Sequence, residues 1–167
     1  MLLLVDLDGV VYRGPQPVPG VAAVLTARAA AGDDVVYVTN SSIWHHTDFV
    51  ARLANMGAPV SPDRIVSGAR ATALYLSEKS PRPVRTLVLG APGLVRELRD
   101  MDLDIVLASE AAERWTTNGR DTAAATRGVD AVVVGLDTEF TRLTTGAEPA
   151  PVNVPALAPV SSPVTAP

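Results

Sequence analysis

Residues 1–14 read MLLLVDLDGVVYRG: an apolar run, two aspartates one leucine apart, a glycine, and an apolar run again. Two structures fit that order. Asp8-Gly9 between apolar segments is a signal for a tight β-hairpin. The alternative is a buried strand whose end carries a nucleophilic carboxylate, Asp6, beside a second, Asp8, that moves protons. A hairpin would return VVYRG alongside LLLV, yet Pro15 and Pro17 cut that partner short. Neither run alternates as a ribbon with one wet face does. The strand-end reading therefore stands above the hairpin.

On this reading, Leu2–Leu7 is a strand covered on both faces of a parallel sheet. The loop YRGPQPVPG follows, punctuated by Pro15, Pro17, Pro19 and Gly20. Val21, Val24, Leu25 and Arg28 recur at helical spacing as far as Ala31, and Gly32 stops that helix. Val35–Thr39 reads as a second buried strand running into a polar loop. Thr47 is placed to cap a helix carrying Phe49, Val50, Leu53 and Met56, which Gly57 ends. A further helix is expected around Ala69–Ser77. The order β-α-β-α-α predicts a parallel sheet with right-handed crossovers.

A second βα unit begins with VRTLVLG and a helix from Gly93 to Met101, followed by strands in LDIVLAS and DAVVVGLD. Ala111–Arg127 has no decisive pattern. From Ala147 the composition changes, with Pro151, Pro155, Pro159, Pro163 and Pro167 at a regular interval. Proline at that density forbids helix and central strand, so residues 147–167 are expected to be a disordered tail.

Composition narrows the function. The chain has 167 residues, enough for one domain or a small two-part structure. Hydrophobic residues make up 47% but aromatic ones only 4%, so the core is built from Ala, Val and Leu. A net charge of −4 gives no steering toward nucleic acid or anionic lipid. Absence of cysteine excludes a disulfide frame and a thiolate metal site, and fits a reducing cytoplasm. The leading LLLV is too short for a signal peptide, and no run approaches the roughly 20 apolar residues of a membrane span. A soluble cytoplasmic protein is expected, with neither nucleic acid nor membrane as partner.

In an open parallel sheet, chemistry collects where the carboxyl ends of strands meet their loops. Asp6 and Asp8 stand at the end of the first strand; Thr39, Asn40, Ser41 and Ser42 stand at the end of the second. If the strands are neighbours, two carboxylates face a set of small hydrogen-bond donors. That arrangement suits a phosphoryl group: one carboxylate attacks, one manages protons, and the donors hold the equatorial oxygens. Paired acids need a cation to stay ionised, and Mg²⁺ matches their oxygen donors.

DLDGVVYRG resembles the first signature of the haloacid dehalogenase superfamily of phosphatases, and VVYVTNSS its second. PVPGVAAVLTARAAAGDDVVYVTNSS, RIVSGARATALYL, LVLGAPGLVREL and AVVVGLDTEFTRL are similar, in order, to successive segments of its subfamily IIA, the p-nitrophenylphosphatase-like group. The resemblance runs from Met1 to about Leu143. It implies an α/β fold: part of a Rossmann-like haloacid dehalogenase core over 1–80, part of an α/β cap domain over 81–146, then the tail. It also implies that Asp6 forms an aspartyl-phosphate while Asp8 protonates the leaving oxygen and then activates water. Mg²⁺ would bind the Asp6 carboxylate and the Asp8 backbone carbonyl. Thr39, Asn40 and Gly9 would hold the phosphoryl group. The implied substrates are small phosphorylated metabolites such as sugar phosphates, phosphoglycolate, nucleotides or pyridoxal phosphate.

Two later signatures of that family have no counterpart in the sequence: a lysine beside the aspartyl-phosphate, and a Gly-Asp with a following Asp that completes the magnesium shell. Lys79 is the one lysine present and reads as a solvated helix-end charge. Asp137 and Glu139 in GLDTEF match a cap segment instead. A truncated gene or a frame shift is the expected origin, and an impaired phosphatase the expected activity. The alternative is an inactive remnant or a small binding module.

Other motifs carry less. His45 and His46 read as a solvent-facing loop pair. Ser41, His45 and Asp48 lack the G-x-S-x-G elbow of a hydrolase triad. GAPG at Gly90 is a strand-to-helix turn without the rest of a phosphate loop. Trp44 and Trp115 read as packing residues.

Overall fold

A computed structural model describes residues 1–79, 81, 85–117, 119, 121 and 126–137. The tail reading of 147–167 and the Glu139 position lie outside the described residues. The chain starts with β1 (Leu2–Asp6), a short hairpin of β2 (Tyr12–Arg13) and β3 (Gln16–Pro17), and α1 (Val21–Ala30). Next come β4 (Asp34–Thr39), α2 (His46–Asn55), a 3-10 turn at Pro62–Arg64, β5 (Ile65–Ser67) and α3 (Gly68–Ser77). The remainder is β6 (Arg85–Leu89), α4 (Pro92–Asp100), β7 (Asp104–Leu107), α5 (Ala108–Thr117) and β8 (Ala131–Val134).

Two parallel sheets result, ordered β1-β4-β5 and β7-β6-β8. In the first, Leu2 pairs with Asp34 and Asp6 with Val38, while Thr39 pairs with Ser67. This register sets the carboxyl ends of all three strands along one rim. Leu3, Val5, Val35, Tyr37 and Ile65 point from the sheet to Leu25 of α1 and to Phe49 and Leu53 of α2, forming one core. A second core joins Ala69, Ala73 and Leu76 of α3 to Val88, Val133 and the apolar stripe Leu94, Val95 and Leu98 of α4.

The expectation that the first strand is covered on both faces is overturned. Leu2 and Leu4 are 58% and 66% exposed, and Val66 beside them is 40% exposed. Among the described residues, α1 and α2 both pack on the opposite face, so the alternate side chains of β1 meet solvent. A continuous apolar run reports that each residue is apolar, not that each face has a cover. On the second sheet, Val132 and Val134 are likewise exposed.

The hairpin is present, but one turn later than Asp8-Gly9 allows. The N–H groups of Val10, Val11 and Tyr12 all point to the Leu7 carbonyl, making a single helical turn after β1. Gly9 lies in that turn at φ +86°, a left-handed conformation that glycine adopts without steric cost. The ribbon then forms between Tyr12–Arg13 and Gln16–Pro17. β1 has β4 as its described partner, and the two run parallel.

Further details differ from the sequence reading. The cap of α2 is His45 rather than Thr47: the Thr47 N–H reaches His45 Nδ1 at 3.4 Å, and Asp48 Oδ2 returns to the His45 N–H at 3.1 Å. Strand β5, only three residues long, was too short to leave a periodic signal. α5 (Ala108–Thr117) takes the last two residues of the expected LDIVLAS strand and the start of the undecided region Ala111–Arg127. Trp44, read as a packing residue, is half exposed.

The two sheets meet at the loop after β4. A Cβ on Gly93 would stand 2.2 Å from the Ile43 carbonyl oxygen, so the first turn of α4 lies directly against that backbone. Ser42 Oγ accepts the Leu136 N–H at 2.9 Å, tying the exit of β8 to the same loop. No helix of the described residues is long and apolar enough to cross a membrane.

Candidate active site

β1 pairs in parallel with β4, so its last residue, Asp6, arrives beside Val38 near the end of β4. Asp6, Val38, Thr39, Asn40, Val66, Ser67, Gly68 and Ala71 line an open cleft of about 500 Å³ at that rim. The cleft therefore collects one carboxylate, two hydroxyls, a carboxamide and the amino end of α3. None of these lining side chains is basic.

Each polar group has a local reason for its position. The Thr39 hydroxyl is buried, and its oxygen accepts the Ser41 N–H at 3.2 Å. That bond occupies a lone pair and leaves the hydroxyl proton to be donated elsewhere. Ser67 is also buried and caps α3, its Oγ accepting the Arg70 N–H at 3.1 Å. Behind that cap the first turn of a ten-residue helix faces the cleft. A helix start of this kind favours anions through its N–H groups and its dipole.

Asp8 lies two residues beyond Asp6, on the helical turn, and its side chain is exposed. Both carboxylates act on one phenol. Burial pushes Tyr12 above the ordinary tyrosine value of 10.0, and the negative charges of Asp8 and Asp6 push it further, against an opposing pull from Arg52. Asp6 and Asp8 thus share one electrostatic neighbourhood, although only Asp6 lines the cleft. Gly9 sits behind Asp8 in the turn and is not among the lining residues.

The structure accordingly brings Asp6, Thr39 and Asn40 to one rim, with Asp8 and Gly9 on the adjoining turn. Sequence reasoning missed Ser67, Gly68 and the start of α3. A Ser-Gly pair directly after the short apolar Ile65-Val66 was the available signal, since serine is a preferred helix cap. Lys79 is exposed just beyond α3, its ammonium 4.5 Å from the centroid of the Tyr75 ring. The His45–His46 pair is not solvent-facing: His45 is 4% exposed, and His46 bonds to the fully buried Glu97.

A family model described as haloacid dehalogenase-like hydrolase matches residues 3–104. Phosphoglycolate phosphatase 2 of Arabidopsis thaliana is 30% identical over 139 residues, covering 80% of this chain and 46% of that protein. The chain spans about half the length of the curated relatives it matches. A hypothetical protein of Pyrococcus horikoshii superposes with a TM-score of 0.69 at 31% identity, covering 84% of this chain and 49% of that one. The glycerol phosphate phosphatase of Mycobacterium tuberculosis, solved in complex with magnesium, superposes with a TM-score of 0.61 at 26% identity, covering 84% and 37%.

Proposed function

Since the chain belongs to the haloacid dehalogenase-like hydrolases, we propose that it carries the nucleophile half of a phosphomonoester hydrolase acting on small phosphorylated metabolites. The observation that supports this is the shared cleft: Asp6 and the donors of Thr39, Asn40 and Ser67 open onto one space at the rim of the first sheet. Relatives named as phosphoglycolate and glycerol phosphate phosphatases agree in chemical class. In this reading residues 1–80 are the core, residues 81–146 belong to a cap that selects the substrate, and the protein is cytoplasmic.

The reaction follows from two carboxylates. An Asp6 oxygen attacks phosphorus, the bond from phosphorus to the ester oxygen breaks, and Asp8 gives that oxygen its proton. Alcohol and aspartyl-phosphate are the products of this half. Asp8, now ionised, takes a proton from water as the water oxygen attacks the same phosphorus. Inorganic phosphate leaves, and both carboxylates return to their starting states. The Thr39 hydroxyl and the first N–H groups of α3 donate to the equatorial oxygens throughout.

A hard cation fits this site. The lining side chains bring one negative charge and no positive one, and every donor at the end of β1 is oxygen. The Asp6 carboxylate and Asp8 carbonyl would hold Mg²⁺, whose chemistry there is to offset the charge on the phosphoryl oxygens.

A second reading, an inactive or binding module, draws on the same cleft. Removing one preorganised charge-stabilising donor costs about 10²–10³ in rate, and no basic side chain lines this space. One assay separates the two readings: hydrolysis of p-nitrophenyl phosphate with Mg²⁺ by the chain and by Asp6→Asn. The phosphatase reading expects turnover that Asp6→Asn abolishes, together with a trapped acyl-phosphate on Asp6. Equal rates for the two proteins would leave the binding module.

A further inference from the structure

Where the two sheets meet, the His45–His46 pair faces the second half of α4. His45 Nε2 stands 2.9 Å from Asp100 Oδ2 and 4.0 Å from Glu97 Oε1, and His46 Nδ1 stands 2.9 Å from the same Glu97 oxygen. One nitrogen of each imidazole and one oxygen of Glu97 all lie within 4.8 Å of one another. Glu97 is fully buried, yet it plays no part in the phosphoryl chemistry above. We propose that His45, His46 and Glu97, with Asp100 as a fourth donor, bind a divalent transition metal of the zinc class.

The donor set argues for that class. Two imidazoles and two carboxylates match zinc, which takes nitrogen and oxygen ligands at about 2.0–2.2 Å in a tetrahedron. Ligand atoms around such an ion lie about 3.3–3.5 Å apart, and the observed separations of 2.9 and 4.0 Å fall on either side of this spacing. Modest side-chain rotations, drawing together donors that already lie within 4.8 Å, would close the site. Mg²⁺ prefers oxygen-only surroundings, so imidazoles select against the ion proposed at Asp6. The chain has no cysteine to compete for a soft metal.

The backbone places these donors as a unit. Glu97 and Asp100 are three residues apart on α4 and share one face of it. His45 caps α2, and His46 opens it. The Nδ1 atom of His45 is held from behind by Thr47 Oγ1 at 2.7 Å, which aims Nε2 at the carboxylates. Outer partners of this kind fix the ring of a metal-bound histidine. Asp100 is half exposed, which gives an ion a way in.

Arg70 is the resident cation. Its Nη1 lies 3.2 Å from His46 Nδ1 and 3.5 Å from Glu97 Oε2. Its positive charge lies beside Glu97, while Asp100 pairs with His45 instead. Arg70 is partly exposed and can swing outward while a dication takes its place.

The test uses the full chain, stripped by chelator and titrated with Co²⁺ and then Zn²⁺. Expected are one equivalent of Co²⁺ with the visible absorption of a four-coordinate ion, its displacement by Zn²⁺, and a rise in Tm. His45→Asn keeps a good helix cap, and His46→Gln keeps a polar side chain; each should weaken binding by at least about tenfold, the scale set by losing even an outer partner. Arg70→Gln should tighten it. If a histidine variant fails to fold, the Co²⁺ spectrum of the unaltered chain decides. Absence of saturable binding at millimolar Zn²⁺, or equal affinity in a folded His45→Asn/His46→Gln double variant, would overturn the site.

Discussion

The guanidinium carbon of Arg52 lies 3.6 Å from the centroid of the Tyr12 ring, and an Arg52 N–H donates to the Gly14 carbonyl oxygen. Helix α2 thereby clamps the hairpin that follows Asp8. Tyr12 is the common element, buried under Arg52 and facing the charges of Asp8 and Asp6.

This clamp gives a pH prediction with a definite sign. Burial, then Asp8 and Asp6, raise the Tyr12 phenol above 10.0, while Arg52 lowers it. The folded state therefore prefers neutral Tyr12. Its contribution to stability is intact below pH 10 and is lost as pH rises through the raised native value. Arg52→Ala should push the phenol higher still. Loss of the cation–π contact should also cost about 0.5–2 kcal/mol. Ultraviolet phenolate titrations of Arg52→Ala and Tyr12→Phe beside the unaltered chain check the first point, and urea unfolding checks the second.

Thr39 joins the fold to the cleft through one oxygen. Thr39→Val removes the acceptor for the Ser41 N–H and the donor offered to a phosphoryl group, at nearly constant volume. Stability should fall by about 0.5–1.5 kcal/mol, the net worth of a hydrogen bond whose donor, the Ser41 N–H, is partly buried. Phosphate-monoester turnover should fall by about 10²-fold. Thr39→Ser should retain both properties better than Thr39→Val. Urea midpoints and p-nitrophenyl phosphate assays on the two variants provide the measurement.

Thr86 makes the opposite case. It is fully buried on β6, and its Oγ1 has no hydrogen-bond partner among the described residues. Thr86→Val replaces an unpaired hydroxyl by a methyl group of similar shape. The substitution should be neutral or stabilising by about 1 kcal/mol, read from urea unfolding.

How far the sequence disclosed these features depended on whether the signal was local. The end of β1 and the polar end of β4 were legible because apolar runs give way abruptly to Asp6 and to Thr39-Asn40. The buried role of His45 and His46 was not legible. Its cause is Glu97, 51 positions from His46, and no spacing rule connects them. The open face of β1 was hidden for a related reason: Leu2 and Leu4 are equally apolar with or without a cover. Ser67 was overlooked because the strand before it is too short to show a period.

Gly93 lies at the closest backbone approach between α4 and the loop after β4. A methyl group added there would stand 2.2 Å from the Ile43 oxygen and 2.6 Å from the His45 nitrogen, both backbone atoms that cannot rotate away. Gly93→Ala should therefore displace α4 from the loop and cost at least about 1–3 kcal/mol, as overpacked sites do. The same change should disturb His45, whose cap lies against that turn, while leaving the first core intact. Amide hydrogen exchange would read the pattern: faster exchange through α4 and the start of α2, unchanged exchange in β1 and β4.

The uneven cover of the first sheet makes the last prediction. Leu53 is fully buried beneath the sheet, whereas Leu4 projects from its open face at 66% exposure. Leu53→Ala should cost about 2–5 kcal/mol through lost burial and the cavity it leaves. Leu4→Gln, although it replaces an apolar strand residue by a polar one, should change stability by less than about 0.5 kcal/mol, the ordinary scale of a surface substitution. Leu4→Gln should also lower self-association, because it breaks an exposed apolar stripe on the strand that ends the sheet among the described residues. Urea unfolding of both variants and sedimentation of Leu4→Gln supply the measurements. A cost at Leu4 as large as that at Leu53 would mean that the face of β1 opposite α1 and α2 is covered after all.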